Sequence, residues 1–229
     1  MCWFSRFLAP DQDSIVHCAI NWYKKRGKET FRRLPLTLRY EHVLSSTASN
    51  QQPLLPDTVL SIYCLKGELT SFDLNITGFI GNWEDDGYSF LFFRQPADEA
   101  VEQLLDTRRD LVVEDQFTMT YKEWQGGFEG PVKIGRFILS PPWLKKVVQG
   151  DEIALKFDPG LVFGNGTHPT TRACLTAIEI ACAGGKVGRM LDLGTGTGLL
   201  ALAGASLGCL QVLAIDNNML AAVTASQNI

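Results

Sequence analysis

The chain has no excess of positive charge, no apolar run of membrane length, no paired cysteine motif and no internal repeat. Its 21 Lys and Arg are outnumbered by 25 Asp and Glu, for a net charge of −4, which argues against a general nucleic-acid binder, since such proteins present a basic face to phosphates. One local cluster, Lys24, Lys25, Arg26, Lys28, Arg32 and Arg33, reads first as a solvated helix end and second as a small basic patch. No stretch reaches the roughly 18 apolar residues of a spanning helix, and the N-terminus lacks a basic segment followed by an apolar one, so no membrane contact and no secretory leader are expected. The six cysteines include no C-x-x-C pair, and several lie in apolar runs, as small hydrophobes do in a reducing cytoplasm. Of the three histidines only His168 adjoins a motif, and no carboxylate or second histidine near it suggests a catalytic triad or a metal site. Its expected role is to hold the shape of a loop. At 229 residues and 45% hydrophobic content, the chain suits one large or two modest folded domains.

What is present centres on Met190 to Asp216, MLDLGTGTGLLALAGASLGCLQVLAID. A short apolar run, Met190 to Leu193, leads into Gly194, Gly196 and Gly198, which permit a sharp turn and leave no Cβ between backbone and ligand. An apolar helix follows on Leu199, Leu200, Leu202, Ala203 and Leu207, with Gly208 as its stop and Gln211 to Ile215 as the next strand. Asp216 ends that strand about twenty residues past the glycines, where a carboxylate can accept hydrogen bonds from both hydroxyls of a ribose.

Glycine spacing separates two ligand classes. Dinucleotide folds use G-x-G-x-x-G, with a helix N-terminus facing a pyrophosphate; here the pattern is G-x-G-x-G preceded by Asp192. A carboxylate there opposes an anion and suits a ligand carrying an ammonium and a sulfonium, such as S-adenosylmethionine. A nicotinamide oxidoreductase is the weaker alternative, and a tight turn with no ligand is the bland one.

A second stretch, Phe157 to Thr171 (FDPGLVFGNGTHPTT), brings Gly160, Gly164 and Gly166 to the start of a helix expected from about Thr170 to Cys182, with Thr170 and Thr171 at its N-cap. A flexible loop feeding a capped helix makes a good lid. Together, the lid and the D-x-G-x-G-x-G turn closely resemble the ribosomal protein L11 methyltransferase family, strongly from about Trp124 to Ile229 and weakly from Asp57 to Glu123. The resemblance implies S-adenosyl-L-methionine as cofactor, bound by Thr171, Phe163, Gly166, Asp192, Gly194, Gly196, Gly198 and Asp216. It implies a large-subunit ribosomal protein as substrate, methylated on lysines and the N-terminal amine, and a cytoplasmic enzyme. The reaction is an in-line displacement that needs positioning and exclusion of water rather than a metal ion. A monomer with no direct nucleic-acid contact is expected.

The fold expected is α/β: an N-terminal α+β sandwich over residues 1–123, a linker over 124–143 rich in Gly and Pro, and over 144–229 the first half of a Rossmann-like methyltransferase domain. Spacing predicts a helix over Asp11 to Arg26, a loop over Ser45 to Pro56, strands at Thr58–Leu65, Tyr88–Phe93 and Leu111–Tyr121, a turn at Trp83–Gly87, and helices at Ala97–Leu105 and Met219–Asn228. Pro131, Gly135, Arg136 and Trp143 match the family's connector, and Trp124 and Trp143 are read as packing residues.

One departure from the family stands out. Its Asn-containing motif at the end of the fourth strand, beside the transferred methyl group, has no equivalent here, so the catalytic residues are unknown. The chain is expected to be a fragment or an inactive truncated relative, and the second function considered is a non-catalytic module that binds a ribosomal protein. Met190–Leu193 should then form an open sheet edge.

Overall fold

The computed structural model describes residues 18–22 (backbone only), 54–69, 76–126, 130–144, 148–185 and 187–229. These form a mixed α/β arrangement with three sheets.

The largest sheet joins β2 (Val59–Lys66), β3 (Phe79–Asp85), β4 (Tyr88–Phe93) and β5 (Val112–Thr120) in the order β3-β4-β2-β5, antiparallel throughout. Side chains alternate between its faces with period two. Leu60, Ile62, Phe90 and Phe92 lie on one face; Tyr63, Leu65, Leu91 and Phe93 lie on the other. The helix α1 (Asp98–Thr107) covers the second face through Val101, Leu104 and Leu105. The first face packs on Tyr121 and Trp124 of α2 (Tyr121–Trp124), on Trp143, on Leu161, and on Leu220. Coverage of both faces explains why YSFLFF reads as an unbroken apolar run. Burial also pushes the Cys64 thiol up to about 11, so this cysteine behaves as a hydrophobe.

Two sequence expectations are corrected. Trp83–Gly87 is not all turn: β3 continues through Asp85, which pairs with Tyr88, and only Asp86 and Gly87 turn. Both have positive φ, 46° and 78°, the two-residue hairpin that an Asp-Gly pair favours. Within the helix expected over Asp11 to Arg26, Cys18–Trp22 forms β1, paired antiparallel with β10 (Gln211–Asp216) from Cys18↔Asp216 to Trp22↔Val212. A ladder along the free edge of β10 outweighs a short helical pattern. The rest of that helix, His17, His42, the basic cluster and the loop from Ser45 to Pro53 lie outside the described residues. The span expected as linker contains two short strands, β6 (Val132–Ile134) and β7 (Phe137–Ser140), which join β8 (Ile153–Lys156) in a sheet of order β6-β7-β8. Strands of three and four residues flanked by Gly and Pro are too short to show a period. Trp124 and Trp143 do pack, with ring centroids 4.9 Å from Phe92 and 6.1 Å from Tyr121.

The remaining sheet, β1-β10-β9, includes β9 (Arg189–Leu193) parallel to β10. The helix α3 (Pro169–Ala183) packs through Leu175 on the β6-β7-β8 sheet, as does α4 (Leu199–Ser206) through Leu199 and Ala203. Ala201 and Ala205 of α4 meet Met190, Val212 and Ala214 on one face of β9-β10. On the other face Leu191 and Leu193 are 59% and 71% exposed, and among the described residues β9 is an open edge. The last helix, α5 (Met219–Asn228), lies against β1, β10 and β3.

Candidate cofactor site

The glycine turn between β9 and α4 is held almost entirely by hydrogen bonds from its own N–H groups. Gly194 and Thr195 both donate to the Ile215 carbonyl at the end of β10, at 2.8 and 3.0 Å. Gly196 donates to Asp216 Oδ2 at 2.8 Å. Thr197 donates to the Phe163 carbonyl at 3.2 Å, and Gly198 to the Thr195 carbonyl at 2.9 Å. Five successive amides are thus engaged by acceptors of the chain itself. Gly196 must be glycine: its φ is +55°, and a Cβ there would run into the Phe163 carbonyl.

Asp192 faces inward. It is buried at the end of β9, and its Oδ2 accepts from Thr195 Oγ1 at 2.6 Å and from the Ala201 N–H at 3.1 Å. The second bond engages one of the free amides in the first turn of α4, and the Leu199 N–H is met by Thr197 Oγ1 at 3.3 Å. The helix terminus that would attract a phosphate therefore already has a carboxylate beside it. Burial raises the Asp192 carboxyl above its ordinary range; bonds from Thr195 and Ala201 pull it down less, and the nearby Asp216 charge adds to the rise.

Asp216 closes the site at the end of β10. Besides Gly196, its carboxylate accepts from the Asn218 N–H through Oδ1 at 2.9 Å. Each oxygen of an ionised carboxylate has two lone-pair sites, so one on each oxygen is left for a ligand hydroxyl. Asn218 then caps α5, accepting from the Ala221 N–H at 3.1 Å.

The glycine-rich loop lies across the turn. Thr197 Oγ1 donates to the Gly164 carbonyl at 2.9 Å, so Phe163 and Gly164 contact the turn through their backbone. The Phe163 ring is 45% exposed and meets the His168 ring edge-on at 5.1 Å. Gly166 faces Leu139 of β7 instead, where a Cβ would not fit. The cap of α3 is His168, not Thr170 or Thr171: its Nδ1 accepts from the Thr170 N–H at 3.3 Å. Pro169 explains the shift, because the residue before a proline is pushed out of the helical region and the proline itself is at ease as the first helical residue. Thr171 is buried in the first turn of α3.

A family model described as ribosomal protein L11 methyltransferase (PrmA) matches residues 99–229, more than half of the chain. The chain belongs to the ribosomal protein L11 methyltransferase family. Curated members named ribosomal protein L11 methyltransferase are similar to it, one from Chloroflexus aurantiacus at 40% identity over 49% of this chain and 35% of its own length. Another, from Heliobacterium modesticaldum, is 41% identical over 46% of this chain and 33% of its own length. The match thus spans about a third of the length of these curated relatives. A crystal structure of a ribosomal protein L11 methylase from Lactobacillus delbrueckii subsp. bulgaricus aligns at 33% identity over 43% of this chain and 50% of that one, with a TM-score of 0.39.

Of the residues that the family resemblance singled out, Phe163, Asp192, Gly194, Gly196, Gly198 and Asp216 meet around one turn. Gly166 lies between Leu139 and the start of α4 at Leu199, and Thr171 lies apart, in the first turn of α3. Sequence reasoning missed Tyr121, Gln125, Asp158 and Asn228, which tie the loop to its surroundings. Tyr121 OH donates to Asp158 Oδ1 at 2.5 Å, and the Gln125 side chain donates to the Gly160 carbonyl. One local signal was available. Thr120 and Glu123 form a capping box, with the Glu123 N–H on Thr120 Oγ1 at 3.2 Å and the Thr120 N–H on Glu123 Oε2 at 2.7 Å, and T-x-x-E marks the start of α2 in the sequence.

Proposed function

We propose that the glycine turn binds S-adenosylmethionine, and that the chain is part of a protein N-methyltransferase acting on amino groups, lysine and the N-terminal amine, of a large-subunit ribosomal protein. The engaged amides of the turn, together with the carboxylate at the α4 terminus, carry this reading. A pyrophosphate needs free N–H groups and a positive helix end, whereas this turn offers neither and has two buried carboxylates, Asp192 and Asp216. Membership of the family supports the same choice.

When bound, the cofactor supplies a methyl group activated by a sulfonium. The residues of the chain bind and orient it. Asp216 would accept the ribose hydroxyls through its remaining lone pairs, and Gly194, where a Cβ would meet no protein atom, lets the backbone come close to the ligand, while Gly196 and Gly198 let the turn pack on Phe163 and Ala225. Asp192 biases the local potential toward a cation. The Phe163–Gly166 loop, with Thr171 behind it, keeps water from the reacting end. The four-stranded sheet unit, with the residues up to 123, presents the substrate protein, and residues 124–143 connect it to the cofactor unit of 144–229. The reading makes the chain a cytoplasmic monomer.

Isothermal titration of the 229-residue chain with S-adenosylmethionine tests the proposal. Micromolar binding that Asp216→Ala abolishes supports it and calls for a methyl-transfer assay on the ribosomal protein. No heat from a chain whose circular dichroism shows it folded defeats the cofactor reading and favours a module that only binds the ribosomal protein.

A further inference from the structure

Three hydrogen bonds converge on a side chain to which the cofactor reading gives no role. Asn228, the last residue of α5, accepts the Asp158 N–H on Oδ1 at 2.7 Å and donates through Nδ2 to the Asp158 carbonyl at 2.7 Å and to the Thr197 carbonyl at 2.8 Å. Its amide thus satisfies both backbone groups of Asp158, as a neighbouring strand would, and links them to the middle of the glycine turn. The same turn residue, Thr197, is held by its N–H and its hydroxyl to Phe163 and Gly164. Loop and turn are therefore joined at both ends, by Thr197 itself at one and by Asn228 at the other.

Asp158 is also held from the opposite side. Its Oδ1 accepts from Tyr121 OH at 2.5 Å and from the Gly160 N–H at 3.0 Å. Burial, and then the charge of Asp158, raise the Tyr121 hydroxyl above its ordinary range, which favours the O–H that donates to Asp158. Asn165 Nδ2 donates to the Gln125 carbonyl at 3.1 Å, which fixes the far side of the loop to the residue that follows α2.

We infer that Asn228 is a positioning residue for the cofactor turn, holding the peptide that follows Thr197 against the base of the loop at Asp158 so that the ligand meets a preformed site. The inference rests on the S-adenosylmethionine reading. An amide is required because donor and acceptor are both used: an aspartate at this position would set a carboxylate against two carbonyls, and a leucine would leave an N–H and two carbonyls without their partner.

The test pairs two readouts on the full chain with Asn228→Leu, Asn228→Asp and Tyr121→Phe. The first is titration with S-adenosylmethionine and the second is backbone hydrogen exchange of the protein alone. Both Asn228 variants should weaken binding about tenfold or more and speed exchange across 157–166 and 194–198, while β2 and β4 exchange as before. Tyr121→Phe, which releases Asp158 but leaves the turn attached, should produce a smaller change in the same segments. Binding within about twofold of the parent in both Asn228 variants, with exchange of the turn unaltered, overturns the inference. So does faster exchange everywhere, β2 and β4 included, which marks Asn228 as a residue of general stability. A parent chain that fails to bind the ligand defeats the cofactor reading instead. The exchange pattern then still decides whether Asn228 holds the turn.

Discussion

The β3-β4-β2-β5 sheet and the β9-β10 pair are stabilised in different ways. In the first, both faces are covered, and Leu60, Ile62, Leu91, Phe92 and Phe93 are fully buried. In the second, α4 covers one face while Leu191 and Leu193 on the other are mostly exposed. Yet the glycine turn, the proposed cofactor site, sits on the less covered pair. Thr195 to Gly198 are buried as well, but directional hydrogen bonds fix their backbone: the Ile215 carbonyl, the Asp216 carboxylate, the Phe163 carbonyl and the Asn228 amide each engage part of it. Apolar packing is strong but non-directional, whereas a site that must meet a ligand at fixed atoms needs directional bonds. The two regions touch where Phe90 and Phe92 share a core with Leu161 and Leu220, so the well-packed sheet acts as the platform for the turn.

The largest effect should come from the platform. Phe92→Ala removes a fully buried ring that also meets Trp124, and should cost about 3–5 kcal/mol in urea unfolding, near the whole stability of many domains. Gly196→Ala attacks the turn instead. A left-handed backbone and the clash with the Phe163 carbonyl should cost about 1–3 kcal/mol, with ligand binding lost in titration before the far-ultraviolet spectrum changes. If Phe92→Ala proved milder than Gly196→Ala, the contrast between a packed platform and a hydrogen-bonded turn would be wrong.

A smaller effect should be seen as a pH slope. Burial holds the Asp192 carboxyl above its ordinary value, so the folded chain keeps this proton more tightly than the unfolded chain does. The stability it contributes is complete below the ordinary aspartate value and is lost as pH rises through the raised value of Asp192. Asp192→Asn should flatten that part of the profile, seen as urea midpoints that no longer fall across the window. Least affected should be the open face of β9. Leu193→Ser should alter stability by no more than about 0.5 kcal/mol and should reduce self-association in light scattering, since an apolar edge strand is a template for pairing. A loss as large as that of Phe92→Ala would mean this face is covered in solution.

Much of this was legible in the chain because the signals are local. The strands β2, β4, β5, β9 and β10, and the helices α1 and α5, fall within a few residues of where apolar spacing puts them. Asp86-Gly87 names its own hairpin, although the reading placed the turn too early by taking in Trp83. What escaped notice depended on distance or brevity. The bond from Asn228 to Asp158 spans 70 residues and that from Tyr121 to Asp158 spans 37, and no pattern in a single sequence joins such positions. β6 and β7 are too short for periodicity to register, and β1 depends on the edge of β10 being available.

By itself the sequence determined the shape of the turn and its chemical character. Glycines at 194, 196 and 198, all at positive φ, and an acid at the end of the second strand follow from backbone preferences that act within a few residues. Only the tertiary structure decided how that turn is used. It brought Phe163 and Asn228 to its backbone, turned Asp192 under the first turn of α4, and set the Asp216 carboxylate on the Gly196 and Asn218 amides. Those outcomes depend on which groups become neighbours when distant segments pack, and on the water that packing removes. Desolvation and hydrogen-bond partnership are properties of the assembled core, so they arise only once the segments have met.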